Sequence, residues 1–153
     1  MTDIYQAIKQ DHDKARDLMA QIMDTSNEDV KTRTDMFEDF KLDLWAHHKI
    51  EEAVFYSKLR DARQTKADAH EALNEHHAAN GLIEELDTMP KGNDAWIGKF
   101  AALKDMVEHH MQEEETEVFS EAKDVIKGEE AEELGDKFKS RKNVVVPALT
   151  PTE

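Results

Sequence analysis

The sequence predicts an all-α protein, an up-down-up-down four-helix bundle with a short C-terminal helix. Apolar residues recur at steps of three, four and seven along most of the chain, which is the period of a helix with one buried face. Alternating β-branched residues and glycine-containing hairpin turns do not occur before the last residues of the chain. Short links between long helices place neighbouring helices antiparallel.

Four long helices and a shorter fifth one follow from this periodicity and from its interruptions. The polar stretch TSNED separates the first two helices, Pro90 and Gly92 end the third, and Gly128 ends the fourth. No glycine or proline marks the turn between the second and third helices. The expected helices span about 3–24, 28–62, 65–88, 94–127 and 129–142.

The helices are expected to form one domain, residues 1–142, followed by a C-terminal tail, residues 143–153. The tail reads NVVVPALTPTE, and we expect it either to pack across the bundle or to remain mobile.

The composition narrows the classes of function. The chain has 35 Asp and Glu and 20 Lys and Arg residues, a formal net charge of −15. A field of that sign repels phosphate backbones and anionic lipid surfaces, so we expect no nucleic-acid or membrane partner. The lack of cysteine excludes disulfides, thiolate metal sites and cysteine nucleophiles. No signal peptide and no long apolar run are visible, so we expect a cytoplasmic protein.

Two polar stretches share one pattern, AHHKIEEAVFYSKL at 46–59 and EHHMQEEETEVFSEA at 108–122. Each places two adjacent histidines one helical turn before a group of glutamates. In the second helix, the apolar face that begins at Phe37 continues through His47 and Glu51. One histidine and one glutamate of the first stretch are therefore predicted to point into the core.

The fourth helix repeats this arrangement, because the face that contains Val107 continues through His110 and Glu114 and resumes at Val118. The first and third helices each carry one histidine in the middle of the buried face. Six polar residues are thus predicted inside the bundle: His12, His47, Glu51, His76, His110 and Glu114.

Burial of six such groups requires compensation. A buried polar group without a partner costs about 1–3 kcal/mol, so six of them would remove most of a typical stability of roughly 5–15 kcal/mol. Mutual hydrogen bonds are one solution, in a metal-free bundle with a histidine-rich core. Coordination of divalent cations satisfies the same atoms more completely.

Four imidazoles and two carboxylates exceed the ligand set of one tetrahedral zinc ion. They suit two cations, with two imidazoles on each and the carboxylates between them. These ligand types favour iron and are compatible with manganese or zinc. The Glu-x-x-His motif of di-iron carboxylate proteins is absent, because no residue three positions before a histidine is acidic.

The order His-x-x-x-Glu on the second and fourth helices, with single histidines on the first and third, resembles the hemerythrin-like HHE cation-binding family. The resemblance extends through IKQDHDKARDLMAQI, LWAHHKIEEAVFYSKL, LNEHHAANGLIEEL and VEHHMQEEETEVFSEA to the trailing helix EEAEELGDKFKSRK, and it covers residues 1–142. It implies two iron ions, bridged by an oxygen atom and carboxylates, with an open position for dioxygen or a similar ligand. The metal ligands that it implies are His12, His47, Glu51, His76, His110 and Glu114.

One difference from the family pattern bears on function. Oxygen-carrying hemerythrins have a further histidine one turn away on the third helix, where this chain has Ala72 and Asn80 on either side of His76. The difference argues against reversible oxygen carriage. It predicts an iron ion with a more open coordination sphere. Tyr56 is a candidate for the free position, whereas Tyr5 is expected in the core.

The remaining polar residues of the two stretches receive simpler interpretations. The run EEET and its flanks are expected to be solvated surface. His48, His77 and His109 are candidates for donors that hydrogen-bond to the ligands.

The sequence therefore predicts a non-haem di-iron protein that binds or senses a small diatomic ligand, oxygen or nitric oxide. One alternative is a peroxidase- or catalase-like enzyme at the same centre, although no general acid beyond the ligands is evident. Another is iron storage, iron delivery or repair of iron sites, in which the acidic surface would dock a basic partner. No sequence feature identifies a protein partner.

Overall fold

The computed structural model describes residues 2–149, with side chains for residues 2–145, and forms a bundle of five helices without a strand in that range. Two of the helices each contain a five-residue π-helical turn, Glu52–Tyr56 and Glu114–Val118. The α-helical parts are Ile4–Met23 (α1), Val30–Glu51 and Ser57–Arg60 (α2), Lys66–Thr88 (α3), Asp94–Glu113 and Phe119–Ala122 (α4), and Glu129–Leu149 (α5).

Helices α1 to α4 form the four-helix bundle that the sequence predicts. Helix α1 packs against α2 and α4, and α3 packs against the same two helices. Ion pairs show that α1 and α4 are antiparallel. His12 pairs with Glu115 of α4, whereas Arg16, one turn later in α1, pairs with Glu108, which lies earlier in α4. No helix within residues 2–149 is long and apolar enough to cross a membrane.

The apolar core consists of two separate halves. One half contains Ile8 and Phe55, and the other contains Leu44 and Phe100. A layer of polar side chains lies between the halves at the middle of the bundle. The predicted histidines and glutamates lie in this layer, so the fold itself places them at one level.

Helix α5 is longer than the sequence predicts. It begins after Gly128, whose φ of 62° favours glycine, and continues to Leu149, well past the expected end at 142. Val145 packs against the apolar half that contains Ile8, so part of the expected tail is helix docked on the bundle. The last four residues of that expected tail lie outside the described residues.

Helix α5 packs against α1 and α2 and approaches the start of the chain closely. Gly135 permits this approach, because a Cβ atom there would overlap the backbone of Thr2 and would lie 2.5 Å from the carbonyl carbon of Asp3. Further along α5, Lys142 Nζ contacts Asp11 Oδ2 at 2.6 Å and Asp43 Oδ1 at 3.1 Å. A close backbone contact therefore fixes the helix near Gly135, and ion pairs fix it near Lys142.

We expect Gly135→Ala to lower the free energy of unfolding by about 1–3 kcal/mol, because α5 must move away from the N-terminal backbone. Gly98→Ala is the matched control, since Gly98 lies inside α4 with no atom within 4 Å of the added methyl group. The free energy of unfolding of that control should rise by about 0.5–1 kcal/mol, because alanine has a higher helix propensity than glycine. Thermal unfolding followed by circular dichroism measures both, and equal melting temperatures would contradict the close approach.

Candidate metal centre

The structure brings together all six polar residues that the sequence selects. None is more than 7% exposed, and both glutamates are fully buried. Each of the helices α1 to α4 contributes a histidine, and α2 and α4 contribute the glutamates. The six residues are His12, His47, Glu51, His76, His110 and Glu114.

Four of these residues form the first group of metal-binding atoms, and their ligand atoms lie within 4.8 Å of one another. His47 Nε2 lies 3.1 Å from Glu51 Oε2, and His12 Nε2 lies 3.0 Å from Glu114 Oε1. His12 Nε2 is 4.0 Å from the same oxygen of Glu51. The group therefore combines two imidazoles with two carboxylates.

The second group contains His76, His110 and again Glu51. His76 Nε2 lies 3.2 Å from Glu51 Oε1, and the two Nε2 atoms of His76 and His110 are 3.1 Å apart. Glu114 Oε2 is 3.5 Å from His110 Nε2. Glu51 thus presents one oxygen to each group, and Glu114 also lies between them.

Several of the converging atoms have no hydrogen-bond partner among the described residues. They are both carboxylate oxygens of Glu51, Oε1 of Glu114 and Nε2 of His12. Leaving such atoms unsatisfied in the core costs about 1–3 kcal/mol each. A pair of divalent cations that accepts imidazole and carboxylate donors would satisfy all of them, so the residues present fit such a pair.

The outward-facing nitrogen of each of the four histidines donates to a carboxylate. His47 Nδ1 donates to Asp11 at 2.6 Å, and His76 Nδ1 donates to Glu52 at 2.8 Å. The other two pairs are His12 with Glu115 at 2.7 Å and His110 with Glu75 at 2.8 Å. These four carboxylates, which we call the outer carboxylates, fix the ring orientation so that every Nε2 points inward.

The pattern of outer carboxylates repeats within the chain. On α1 and α3 the acidic residue precedes the histidine, and it accepts from the histidine of the next helix. On α2 and α4 the acidic residue follows the buried glutamate, and it accepts from the histidine of α3 or α1. The two halves of the bundle therefore build the centre in the same way.

The sequence pattern did not predict the outer carboxylates. It assigned the EEET run to solvated surface, but Glu115 of that run accepts the hydrogen bond of His12. It proposed His48, His77 and His109 as the supporting residues, yet His109 is exposed and pairs with Glu113 of its own helix. The available signal was an acidic residue beside each selected ligand, in Asp11–His12, Glu51–Glu52, Glu75–His76 and Glu114–Glu115.

His48 is buried, although the sequence predicted that His47 alone of this pair points into the core. It is 4% exposed, and its ring stacks on His76 with centroids 3.7 Å apart. Burial lowers its pKa well below the usual range, and the neighbouring histidines lower it further. His48 is therefore an uncharged side chain that packs against the centre. Its Nδ1 atom has no hydrogen-bond partner among the described residues.

The π-helical turns begin where the buried glutamates lie. Glu51 directly precedes the turn in α2, and Glu114 opens the turn in α4. Each turn adds one residue to the helical repeat, so the buried face after it is displaced by one position. Phe119 is consequently buried at 6% exposure, where a regular helix predicted Val118.

The same displacement brings Tyr56 to the centre. Its side chain is 2% exposed, and its hydroxyl group donates to Glu114 Oε2. Burial raises the pKa of Tyr56 well above its usual value, and the charges of Glu114 and Glu51 raise it further. Tyr5 lies in the core as expected, where its hydroxyl donates to the carbonyl oxygen of Ile126 at 2.6 Å.

The titratable groups stabilise one another's charged forms. Burial lowers the pKa of His47, but the charge of Glu51 and the hydrogen bond to Asp11 outweigh burial and raise it to about 10. Burial also lowers the pKa of His110, and hydrogen bonds to Glu114 and Glu75 raise it well above its usual value. Cations that enter the centre must replace protons on these histidines.

A small cavity of about 40 Å³ adjoins the second group of atoms. Tyr56, His110 and Glu114 line its inner end, and acidic residues of α3 and α4, among them Glu71 and Glu113, line its outer end. That volume exceeds the roughly 10–15 Å³ that a cavity needs in order to hold one water molecule. The cavity therefore suits a ligand of very few atoms.

The chain is similar in sequence to a longer known protein. A protein from Nostoc sp. (strain PCC 7120 / SAG 25.82 / UTEX 2576) named DNA nickase is 25% identical over 147 residues. That match covers 96% of this chain and 41% of the nickase.

A crystal structure of a hemerythrin HHE cation-binding domain-containing protein from Mycobacterium kansasii superimposes with a TM-score of 0.84 at 25% identity. The superposition covers 97% of this chain and 90% of that one. The model of the family described as hemerythrin HHE cation binding domain matches residues 3–122. Since that match spans most of the chain, and the described bundle places a buried His/Glu cluster at its centre, the protein belongs to the hemerythrin HHE cation-binding domain family.

Proposed function

We propose that the protein is a non-haem di-iron protein that binds or senses a small diatomic ligand, oxygen or nitric oxide. The observation that carries the proposal is the pair of overlapping groups of imidazole and carboxylate atoms that share Glu51. In this proposal, His12, His47, Glu51 and Glu114 hold one iron ion. His76, His110 and Glu51 hold the other, with Glu114 available to both.

The second group leaves more room for an external ligand than the first. It contains three residues, whereas the first contains four. A centre with fewer protein donors keeps an open position, and bound iron supplies a redox-active Lewis acid there. The small cavity beside His110 lies on that side of the centre.

The lining of the cavity favours neutral ligands. Glu71, Glu75, Glu113 and Glu117 line it together with Asp68, so its outer end is negatively charged. Negative charge repels anions from a narrow entrance and does not oppose oxygen or nitric oxide. His48 and the apolar side chains above and below the polar layer exclude bulk water from the centre.

Peroxide decomposition is a second candidate, and the position of Tyr56 favours it. The hydroxyl group of Tyr56 lines the cavity and donates to Glu114, so a phenolic proton lies beside the open side of the centre. Loss of oxygen evolution from peroxide in Tyr56→Phe, with bound iron unchanged, would support this activity. Turnover by the unmodified protein that is no faster than turnover by free iron would remove it.

The proposed location and partners follow from the sequence alone. We propose a cytoplasmic protein without a nucleic-acid partner, because the net charge of −15 opposes binding to phosphate backbones. The activity named for the Nostoc relative is therefore not assigned to this chain. Storage or delivery of iron would use the same ligands, and a basic protein partner would fit the acidic surface.

Metal analysis of the purified protein tests the proposed function. After growth with ample iron, we expect about two iron ions per chain and, in air, absorption bands of an oxygen-bridged ferric pair that disappear on reduction. Addition of oxygen or nitric oxide to the reduced protein should change the spectrum. A colourless protein without bound iron, or one that prefers zinc under these conditions, would contradict the proposal.

A further inference from the structure

Asp11, the outer carboxylate of His47, also contacts a cationic side chain. Its Oδ2 atom lies 2.6 Å from His47 Nδ1 and 2.6 Å from Lys142 Nζ. The side chains of Asp11 and Lys142 are only 11% and 13% exposed, so solvent screens their attraction poorly. Asp43 Oδ1 lies 3.1 Å from the same lysine nitrogen and helps to fix its position. Helix α5 therefore places a positive charge one carboxylate away from a histidine of the centre.

Glu115, the outer carboxylate of His12, has the same arrangement. Its Oε2 atom lies 2.7 Å from His12 Nδ1 and 2.9 Å from Arg16 Nη1. Arg16 Nε contacts Glu108 Oε1 at 2.8 Å, which orients the guanidinium group. In both arrangements a single carboxylate oxygen contacts a ring nitrogen and a cation at once. Both histidines of the first group of metal-binding atoms are thus backed by a carboxylate whose charge is shared with a cation.

The outer carboxylates of the second group lack such a cation. Glu52 Oε2 lies 2.8 Å from His76 Nδ1, and Glu75 Oε1 lies 2.8 Å from His110 Nδ1. In the part of the chain whose side chains are described, neither glutamate forms an ion pair with a lysine or arginine, and the remaining residues contain neither residue type. The hydrogen bond from His76 lowers the pKa of Glu52, and the charge of Lys49 lowers it further from beyond ion-pair distance. The two histidines of the second group therefore face carboxylates without a paired cation.

A cation on an outer carboxylate weakens the effect of that carboxylate on the imidazole ring. A carboxylate that accepts the Nδ1 hydrogen bond raises the basicity of the ring, and hence the electron donation from its Nε2 atom. A lysine or arginine on the same oxygen withdraws electron density from the carboxylate, so the ring donates less. Weaker donation and a nearby positive charge both favour the lower oxidation state of a bound metal ion.

We propose that Lys142 and Arg16 are positioning residues that make the two groups of metal-binding atoms electronically unequal, so that an iron ion in the first group has the higher reduction potential. The inference rests on the proposed function, because it concerns a pair of iron ions. When a diferrous pair loses one electron to an external one-electron oxidant, that electron leaves the second group first. No covalent bond of the protein is formed or broken in this step.

The predicted inequality agrees with the position of the small cavity. The cavity adjoins the second group, and Glu71 and Glu113 add negative charge to its lining. Negative charge on that side favours the higher oxidation state there, in the same direction as the free outer carboxylates. A ligand in the cavity therefore meets the position that gives up its electron more readily.

The reduction potentials of the iron-loaded protein test this inequality. Lys142→Met removes the charge and keeps a long apolar side chain, while Asp43 retains its contact with Lys14 at 3.0 Å. We expect the more positive of the two one-electron potentials to fall by about 59 mV, a tenfold change in the reduction equilibrium, as for removal of one charge at roughly 10 Å. The more negative potential should fall by less than half of that, so the two steps move closer together.

Arg16→Met should shift the same potential in the same direction, because Arg16 acts on the other histidine of the first group. The matched controls are Lys139→Met on α5 and Lys9→Met on α1. Lys139 Nζ contacts the hydroxyl group of Thr2, and Lys9 Nζ pairs with Asp13, so neither touches an outer carboxylate among the described residues. Each control should change the reduction equilibria by less than about twofold.

Three results of this titration would overturn the inference. They are an unchanged potential in Lys142→Met, equal shifts in the variants and in their controls, and a larger shift of the more negative potential than of the more positive one. The last result would place the effect of the cations on the second group instead of the first.

Zinc-loaded protein provides a measurement that does not depend on iron. Zn²⁺ is diamagnetic and has no redox chemistry, so the Nδ1 protons of the ligand histidines can be observed by nuclear magnetic resonance after isotope labelling. In Lys142→Met the Nδ1 proton of His47 should move downfield, because Asp11 becomes a stronger acceptor, whereas that of His76 should stay in place. A His47 resonance that does not move overturns the inference and leaves the proposed function intact. Failure of the centre to bind either metal contradicts the proposed function, and this inference with it.

Discussion

Replacement of Glu51 by alanine is expected to reduce the bound metal from about two ions per chain to fewer than about half an ion. Glu51 belongs to both groups of metal-binding atoms, with one oxygen 3.1 Å from His47 Nε2 and the other 3.2 Å from His76 Nε2. No other residue is shared in this way by both groups. The side chain is fully buried, so no neighbouring surface residue can replace it.

The adjacent glutamate provides the control for this prediction. Glu52 is partly exposed and accepts a hydrogen bond from His76 Nδ1, so Glu52→Ala should weaken metal binding about 10–100-fold without removing a ligand. With metal in excess, that variant should still bind about two ions. Metal content measured by elemental analysis after gel filtration distinguishes the two variants. A Glu51→Ala protein that keeps both ions would show that the cations are held elsewhere.

Loss of one inward-facing histidine should remove most of the stabilisation that metal confers. Each cation at about a thousandfold excess over its dissociation constant stabilises the folded state by about 4 kcal/mol, so two cations contribute about 8 kcal/mol, or roughly 20 °C in a domain of this size. We expect His47→Ala and His110→Ala to lose most of this difference between the metal-loaded and metal-free melting temperatures. Comparing the two states of each variant cancels the cost of the cavity that the substitution leaves.

His109→Ala is the control, because His109 neighbours His110 in sequence but its side chain is 69% exposed. It should retain the full difference between the loaded and metal-free states in differential scanning calorimetry. His48→Ala is a poorer control, since His48 is buried against His76. If His109→Ala loses as much of the metal-dependent difference in melting temperature as His110→Ala does, then the assignment of His110 as the metal ligand of this pair is wrong.

Helical periodicity was sufficient to select the buried residues up to the level of the centre. The apolar face that begins at Phe37 does continue through His47 and Glu51, because α2 is regular as far as that residue. Beyond Glu114 the prediction failed by one position, because Phe119 is buried where Val118 was predicted. A π-helical turn has no sequence signal as simple as a proline or glycine. Tyr56 is therefore turned toward Glu114 for a reason that the sequence pattern did not show.

Contacts between helices were harder to predict than positions on one helix. The hydrogen bond from His12 to Glu115 depends on the level at which α1 packs against α4, which no local pattern specifies. The burial of His48 similarly depends on how closely α3 approaches α2. The length of α5 was underestimated because three valines and Pro147 argue against a helix, whereas the packing of Val145 on the core favours one.

Only one imidazole ring separates each outer carboxylate from the buried atoms of the centre. Their side chains are between 11% and 27% exposed, and each accepts a hydrogen bond from a ring whose other nitrogen faces the centre. A change of charge among the buried atoms therefore alters the proton affinity of groups that water or another molecule can touch, on all four sides of the bundle. This change in proton affinity at the surface requires no movement of the helices.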